Sequence, residues 1–83
     1  MKDEEIKAVV LRVLGNIAPE AETDQIDPAI ELREQLDLDS MDILNLMVGI
    51  HEILGVDIPE ADYPQMANLN GCVVYLRSHL QAR

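Results

Sequence analysis

The serine, histidine and cysteine side chains that could act as nucleophiles, bases or metal ligands lie far apart in this sequence. Ser40 is the candidate nucleophile, whereas His51 and His79 lie well down the helices predicted below. A hydrolytic serine needs a histidine base within hydrogen-bond reach, and a metal site needs closely spaced ligands. We therefore predict that the chain is not an enzyme and holds no metal. Cys72, on an apolar helix stripe, is expected to be a buried core thiol.

Ser40 stands at the head of a strongly apolar segment. Helical spacing predicts a helix from Ser40 to Leu54, with Ser40 as its N-cap and Gly55 as its stop. Asp39 and Asp42 place negative charge at the positive end of its dipole. This helix has more apolar surface than one core face needs, so part of it should be exposed as a docking surface. The predicted docking residues are Met41, Leu44, Asn45, Val48 and Glu52.

A second amphipathic helix is predicted upstream, ended by Gly15-Asn16 and then by Pro19. Its apolar stripe comprises Ile6, Val9, Val10, Val13, Leu14 and Ile17. Residues 18 to 39 then form a long connection, which in a compact domain is usually functional or disordered. Three leucines argue against disorder, because they have the spacing of anchors that pin the loop to the core. These anchors are Leu32, Leu36 and Leu38.

Downstream, Pro64 limits the segment from Glu60 to Met66 to a turn or two, and Asn68 should cap a last helix. The apolar stripe of that helix comprises Leu69, Cys72, Val73, Leu76 and Leu80. No segment shows the alternation of a strand. We predict one all-α domain over residues 1–83, a small four-helix bundle of three main helices and one short helix. A long loop joins helices one and two.

The chain is strongly acidic, with 16 Asp and Glu against 6 Lys and Arg, a formal net charge of −10. Such a field repels nucleic acid and anionic membranes and attracts proteins with basic patches, although the charge can also serve solubility alone. One cysteine excludes an internal disulfide. The sequence contains no long apolar run, and its first five residues do not resemble a signal peptide. We expect a soluble, cytoplasmic monomer without stable membrane insertion.

The run Asp39-Ser40-Met41-Asp42 at the head of an apolar helix resembles the Asp-Ser-Leu-Asp signature of acyl carrier proteins. Downstream, the stretch from Glu52 to Pro59 is similar to the family's exit from its second helix. The resemblance covers essentially the whole chain. Its specificity comes from the combination of the signature with Ile58-Pro59 at the right distance, inside an acidic chain of this length.

The resemblance implies that Ser40 receives 4′-phosphopantetheine from coenzyme A, transferred by a separate phosphopantetheinyl transferase with magnesium. Asp39 would then help to hold the magnesium, and Asp42 would contact the transferase. The free N–H groups and positive dipole end of a helix N-terminus suit the new phosphate. The arm's thiol would carry acyl groups as thioesters between acyl-loading and acyl-transferring enzymes. An apolar acyl pocket is expected between helix two and the segment from Ile58 to Cys72, lined by Leu32, Leu46, Ile50, Ile58, Met66 and Cys72.

The chain also departs from the family pattern. Asn45 and His51 stand where carriers of fatty acid synthesis often have acids, and Asp37 replaces a usual glycine. Gly49 is expected to leave a smooth patch on helix two, and it lowers the stability of the helix by about 1 kcal/mol relative to Ala. These changes favour a dedicated lipid, polyketide or related pathway, although His51 is equally explained as a solvated helix residue. Two alternatives remain: an aminoacyl or peptidyl carrier using Ser40, and an acidic helical adaptor without an arm.

Overall fold

Residues 1–81 are described by the computed structural model, and within them the chain is all helical. The elements in chain order are α1 (Asp3–Ile17), a 3-10 turn (Thr23–Gln25), α2 (Leu32–Gln35), α3 (Ser40–Leu54), a 3-10 helix (Glu60–Met66) and α4 (Leu69–Gln81). The predicted all-α bundle of three main helices and one short helix is confirmed. The small helix α2 and the 3-10 turn lie inside the long connection and add to that prediction.

The core is aliphatic and forms where α1 packs against both α3 and α4. The amphipathic stripes supply it, because residues three and four apart share one face of a helix. Two of the predicted loop anchors, Leu32 and Leu38, are buried, and Leu36 is half-buried against the core. The side chains with least exposure are Ile6, Val10, Leu14, Leu32, Leu46, Ile50, Met66, Leu69, Cys72 and Leu76.

Helix α1 continues two residues beyond its predicted stop. Gly15 and Asn16 lie inside the helix, which ends at Ile17, and the N–H of Ala18 still donates to the Leu14 carbonyl at 2.8 Å. Ala18 is buried and Ile17 packs against the core, and their burial favours the last turn of the helix despite the roughly 1 kcal/mol that an interior glycine costs. The break comes at Pro19, because the residue before a proline is disfavoured in the helical conformation.

Helix α3 ends at Gly55, as predicted. This glycine has φ of 69° in the left-handed region, its N–H donates to the His51 carbonyl at 2.8 Å, and Val56 beyond it is buried. The smooth patch expected at Gly49 is wrong, since this glycine faces α1. A Cβ built there would lie 2.6 Å from Cγ1 of Val13, so the missing side chain allows the two helices to approach closely.

The end of the long connection is tied to the junction between the 3-10 helix and α4. The Leu32 N–H donates to the Ala67 carbonyl at 2.8 Å, and the Asn70 N–H donates to the Pro28 carbonyl at 3.1 Å. Asn68 caps α4 as predicted, because its side-chain oxygen accepts from the Gly71 N–H at 2.7 Å. These bonds fix α2 beside the start of α4.

Candidate functional site

The hydroxyl of Ser40, at the start of α3, has no hydrogen-bond partner within residues 1–81. Ser40 is exposed and is the first residue of the helix, so its prediction as N-cap is wrong. Asp39 is the N-cap: its Oδ1 accepts from the Asp42 N–H at 2.8 Å, and Asp42 Oδ2 accepts from the Asp39 N–H at 3.2 Å. This reciprocal capping box satisfies two N–H groups without using the serine.

The turn before Ser40 has an unusual backbone. Asp37 has φ of 53°, in the left-handed region that favours glycine and tolerates Asp or Asn better than other residues. Leu38, the next residue, is buried, and its N–H donates to the Arg33 carbonyl at 3.1 Å. The turn therefore buries Leu38 in the core and leaves Asp39 and Ser40 exposed at the surface.

The surroundings of Ser40 suit attachment of an anion better than catalysis. The helix N-terminus presents N–H groups and a positive dipole end. His51 lies eleven residues further along α3, about 17 Å at 1.5 Å per residue. This distance is far outside proton-transfer reach, so His51 cannot act as a base for the Ser40 hydroxyl.

An open apolar groove of about 570 Å³ begins at Ser40 and runs between α3 and the 3-10 helix. Its α3 wall consists of Met41, Ile43, Leu44 and Met47. Its opposite wall consists of Tyr63, Pro64, Met66 and Ala67. The charged residues at the groove are Glu31, Arg33 and Glu60. The groove therefore offers an apolar floor with a few charged groups, beside an exposed hydroxyl.

A second hollow, of about 310 Å³, continues toward the end of α3 and shares Met47 and Tyr63 with the groove. It is lined at its far end by His51 and Asp57. His51 Nδ1 lies 3.0 Å from the Val56 carbonyl oxygen and 3.4 Å from Asp57 Oδ1. The two hollows together follow the side of α3 from Ser40 to its last turn.

The opposite wall of the groove is held by a buried tyrosine. The Tyr75 hydroxyl donates to Asp62 Oδ2 at 2.6 Å, and the ring stacks on His79 with centroids 4.0 Å apart. Burial raises the pKa of Tyr75 to about 12, and the hydrogen bond to Asp62 and that residue's negative charge act in the same direction. Because Asp62 belongs to the 3-10 helix, this bond fixes that helix to α4.

The six residues predicted to line an acyl pocket are adjacent to the groove, but most lie beneath it. Five are buried in the core, and Ile58 is partly buried against it. Of the six, Met66 also lines the groove, and Ile58 lines the second hollow. Entry of an acyl chain among them stays a prediction. The six are Leu32, Leu46, Ile50, Ile58, Met66 and Cys72.

The predicted docking residues divide between two edges of α3. Met41, Leu44 and Val48 are 63%, 43% and 46% exposed and share one face. Asn45 and Glu52 are also exposed, but they line a shallow hollow against α1. Tyr63 and Ile43 also line the groove, and no sequence pattern identified them as site residues. The sequence signal available for Tyr63 was an aromatic residue next to Pro64, in a chain with two tyrosines and no Phe or Trp.

Comparisons with known proteins agree with this geometry. Residues 4–73 match the protein family described as "Phosphopantetheine attachment site". The acyl carrier proteins of Helicobacter pylori strains G27 and HPAG1 are each 28% identical to this chain over 76 residues, which cover 92% of this chain and 91% of theirs. No helix within residues 1–81 has the length and apolar character needed to cross a bilayer.

A solved structure of the acyl carrier protein from Enterococcus faecalis has the same fold. It superimposes with a TM-score of 0.79 at 22% identity, covering 95% of this chain and 99% of that one. The family match spans most of the sequence and includes Ser40 with the whole of α3. This chain therefore belongs to the phosphopantetheine attachment site family, whose members carry that prosthetic group.

Proposed function

We propose that the chain is an acyl carrier protein, not a catalyst, in which Ser40 carries 4′-phosphopantetheine through a phosphodiester bond. The observation that carries this proposal is the exposed Ser40 hydroxyl, left free by the Asp39–Asp42 capping box at the start of α3. When attached, the arm supplies a terminal thiol that holds an acyl group as a thioester. The proposed carrier domain spans residues 1–83.

The residues around Ser40 fit this group. The N–H groups at the start of α3 and its dipole favour the phosphate, and the adjoining groove has room for an arm. Asp39 uses Oδ1 as the cap. Its Oδ2 is left to help hold the magnesium ion of the phosphopantetheinyl transferase, and Asp42 is placed to contact that enzyme. The roles of both acids in the transfer belong to this proposal.

Partners are proposed to dock on the exposed apolar face of α3. That face consists of Met41, Leu44 and Val48. The helix itself contains few acidic residues. The net charge of −10 steers partners with basic patches toward the chain. The proposed partners are the transferase and the acyl-loading and acyl-transferring enzymes of fatty acid, specialised lipid or polyketide synthesis. We place the protein in the cytoplasm as a monomer.

An aminoacyl or peptidyl carrier would use the same serine and a different loading enzyme. Acyl cargo is favoured because the relatives with similar sequence are acyl carrier proteins and the groove beside Ser40 is mainly apolar. Loading assays with acyl and aminoacyl donors separate the two cargoes. An adaptor without an arm would accept neither.

The attachment site is tested by incubating the chain with coenzyme A and a broad-range transferase and measuring intact mass. The wild type is expected to gain one arm, and Ser40→Ala is expected to gain none. Ser78→Ala is the matched control, since Ser78 is an exposed serine on α4, and it should gain the arm normally. A Ser40→Ala protein that gains the arm would refute the assignment of Ser40.

The interior acyl pocket is tested by NMR on the chain loaded with acyl groups of increasing length. Entry into the core should shift the signals of Leu46 and Cys72, because both side chains are fully buried. Small local openings of that kind cost little where structure is loosely packed. Shifts confined to Met47 and Tyr63 would place the acyl chain in the open groove instead.

Docking is tested with alanine variants of exposed residues on α3. Met41→Ala and Val48→Ala should each weaken binding of a genuine partner by about fivefold or more, and Glu52→Ala by less. Raising the salt concentration should slow association but leave much of the affinity. Complete loss of binding at moderate salt, with no effect of the two apolar variants, would show that docking is dominated by charge.

A further inference from the structure

One arginine lines the groove together with Ser40. Arg33 lies on α2, is exposed, and is the one cationic residue among those that line the groove. The carboxylates of Glu31 and Glu60 also line the groove. A positive charge here is unusual for this chain, which has 6 Lys and Arg against 16 Asp and Glu.

Arg33 is also unpaired despite the many carboxylates around it. Within residues 1–81 the one Lys or Arg side chain paired with a carboxylate is Arg77, with Asp3, and the His51 ring nitrogen lies 3.4 Å from Asp57 Oδ1. No carboxylate oxygen of that part of the chain lies within 4.0 Å of the Arg33 guanidinium. Its donors therefore remain available to an anion that is not part of the folded polypeptide.

The backbone of Arg33 is fixed on two sides. Its neighbour Leu32 is buried, and the Leu32 N–H donates to the Ala67 carbonyl in the far wall of the groove at 2.8 Å. The Arg33 carbonyl accepts from the Leu38 N–H at 3.1 Å, in the turn that leads to Ser40. The arginine is thus held relative both to the groove and to the attachment serine.

Attachment of an arm adds negative charge at Ser40, where a nearby cation would be stabilising. A phosphodiester on Ser40 adds a negative charge beside the carboxylates of Asp39 and Asp42, which the helix N-terminus offsets only in part. A guanidinium presents paired N–H donors that match phosphate oxygens. We infer that Arg33 is a positioning residue: it binds the phosphate of the arm on Ser40 and thereby directs the arm into the groove. This inference rests on the proposed function.

The length of the hollows agrees with this path. Ser40 and His51 are separated by about 17 Å along α3. The arm has about thirteen bonds from phosphorus to sulfur, and at about 1.15 Å each along the axis it extends about 15 Å. An arm directed by Arg33 therefore runs past Met47 and Tyr63, with its thiol near the second hollow.

The test is a thermodynamic cycle that compares the chain with and without its arm. The unfolding equilibrium is measured by denaturant at low salt for the wild type, Arg33→Gln and Arg12→Gln, each before and after transfer of the arm, with attachment confirmed by mass. Arg12 is the matched control, an exposed arginine on α1 that forms no ion pair within the described residues. Attachment of the arm should raise the unfolding constant of Arg33→Gln by a factor about two to five larger than the factor for the wild type or Arg12→Gln. This difference between the proteins should shrink at high salt.

A second measurement follows the path of the arm directly. Nuclear Overhauser effects from the methyl and methylene protons of the arm to the Tyr63 ring should be seen in the wild type and Arg12→Gln, and should weaken in Arg33→Gln. If attachment changes the unfolding constant equally in all three proteins and the Overhauser effects are the same, the inferred role of Arg33 is overturned and the proposed function stands. A wild-type chain that gains no arm overturns the proposed function and this inference together.

Discussion

The capping residue and the proposed attachment residue are neighbours at the start of α3. Asp39 accepts the hydrogen bond that begins the helix, while Ser40 keeps a free hydroxyl. If the serine were the cap, esterification of its oxygen would remove a contact that is typically about 1 kcal/mol of helix stability. The observed division lets the helix persist whether or not Ser40 is modified.

The hydrogen bond between Tyr75 and Asp62 is expected to control the mobility of the groove wall. Tyr75→Phe should lower the free energy of unfolding by about 1 kcal/mol and speed amide hydrogen exchange in the 3-10 helix, because its tie to α4 is lost. Tyr63→Phe is the control, since the Tyr63 hydroxyl donates to no residue within 1–81. Equal exchange rates in the two variants would contradict this role.

Cys72 should make stability fall at alkaline pH. Burial raises the pKa of its thiol to about 12 from the ordinary 9.0. Above pH 9 the unfolded chain loses this proton and the folded chain retains it, so folding is progressively disfavoured, with a slope approaching about 1.4 kcal/mol per pH unit. Denaturant unfolding between pH 8 and 10.5 checks this. Cys72→Ala should show a shallower slope, and parallel slopes would contradict the assignment.

Two interior glycines of the long helices are expected to respond oppositely to alanine. At Gly49 the gain in helix propensity is outweighed by the clash with Val13, and Gly49→Ala should destabilise by about 1 kcal/mol. At Gly15 the nearest atom is Thr23 Cγ2 at 3.9 Å, so Gly15→Ala should stabilise by about 0.5 to 1 kcal/mol. Thermal unfolding of both variants checks the pair. Stabilisation by Gly49→Ala would show that α1 can move away.

Helix ends illustrate what sequence patterns can and cannot predict. Gly55 was correctly placed as a stop because an apolar residue follows it and becomes buried. Position 15 is also a glycine, but the apolar stripe continues past it to Ile17. Packing of that stripe against the core extends the helix. At the start of α3, Asp39 and Ser40 are both good caps by type, so only the bonds formed identify Asp39.

An apolar pocket was expected between α3 and the segment from Ile58 to Cys72, and the groove lies there. Most of its lining could not be predicted from the sequence, because distant segments form it. The apolar excess on α3 indicated that part of that helix is exposed, and Met41, Leu44 and Val48 are. The position of the opposite wall depends on the Tyr75–Asp62 bond and on the tie between Leu32 and Ala67. No periodicity encodes such contacts, so the predicted lining residues were those of the adjacent core.

The charge of the whole molecule should make its stability sensitive to salt. With a net charge of −10, repulsion among carboxylates weakens the compact state, and added salt screens it. Relief of about 1 kcal/mol would raise Tm by about 4 to 8 °C for a domain of this size. Calorimetry at low and moderate sodium chloride checks this. A Glu20→Gln/Glu22→Gln variant should respond less, and a Tm that falls with salt would contradict the expectation.

The burial of Cys72 has a practical consequence for spectroscopy. Alkylating reagents attack thiolates, and the one cysteine of the sequence is fully enclosed and stays protonated at neutral pH. In a chain that carries the arm, the accessible thiol is therefore the one at the end of the arm. A fluorophore or spin label can be coupled there in the natural sequence, and its distance to partner enzymes can be followed without replacing Cys72.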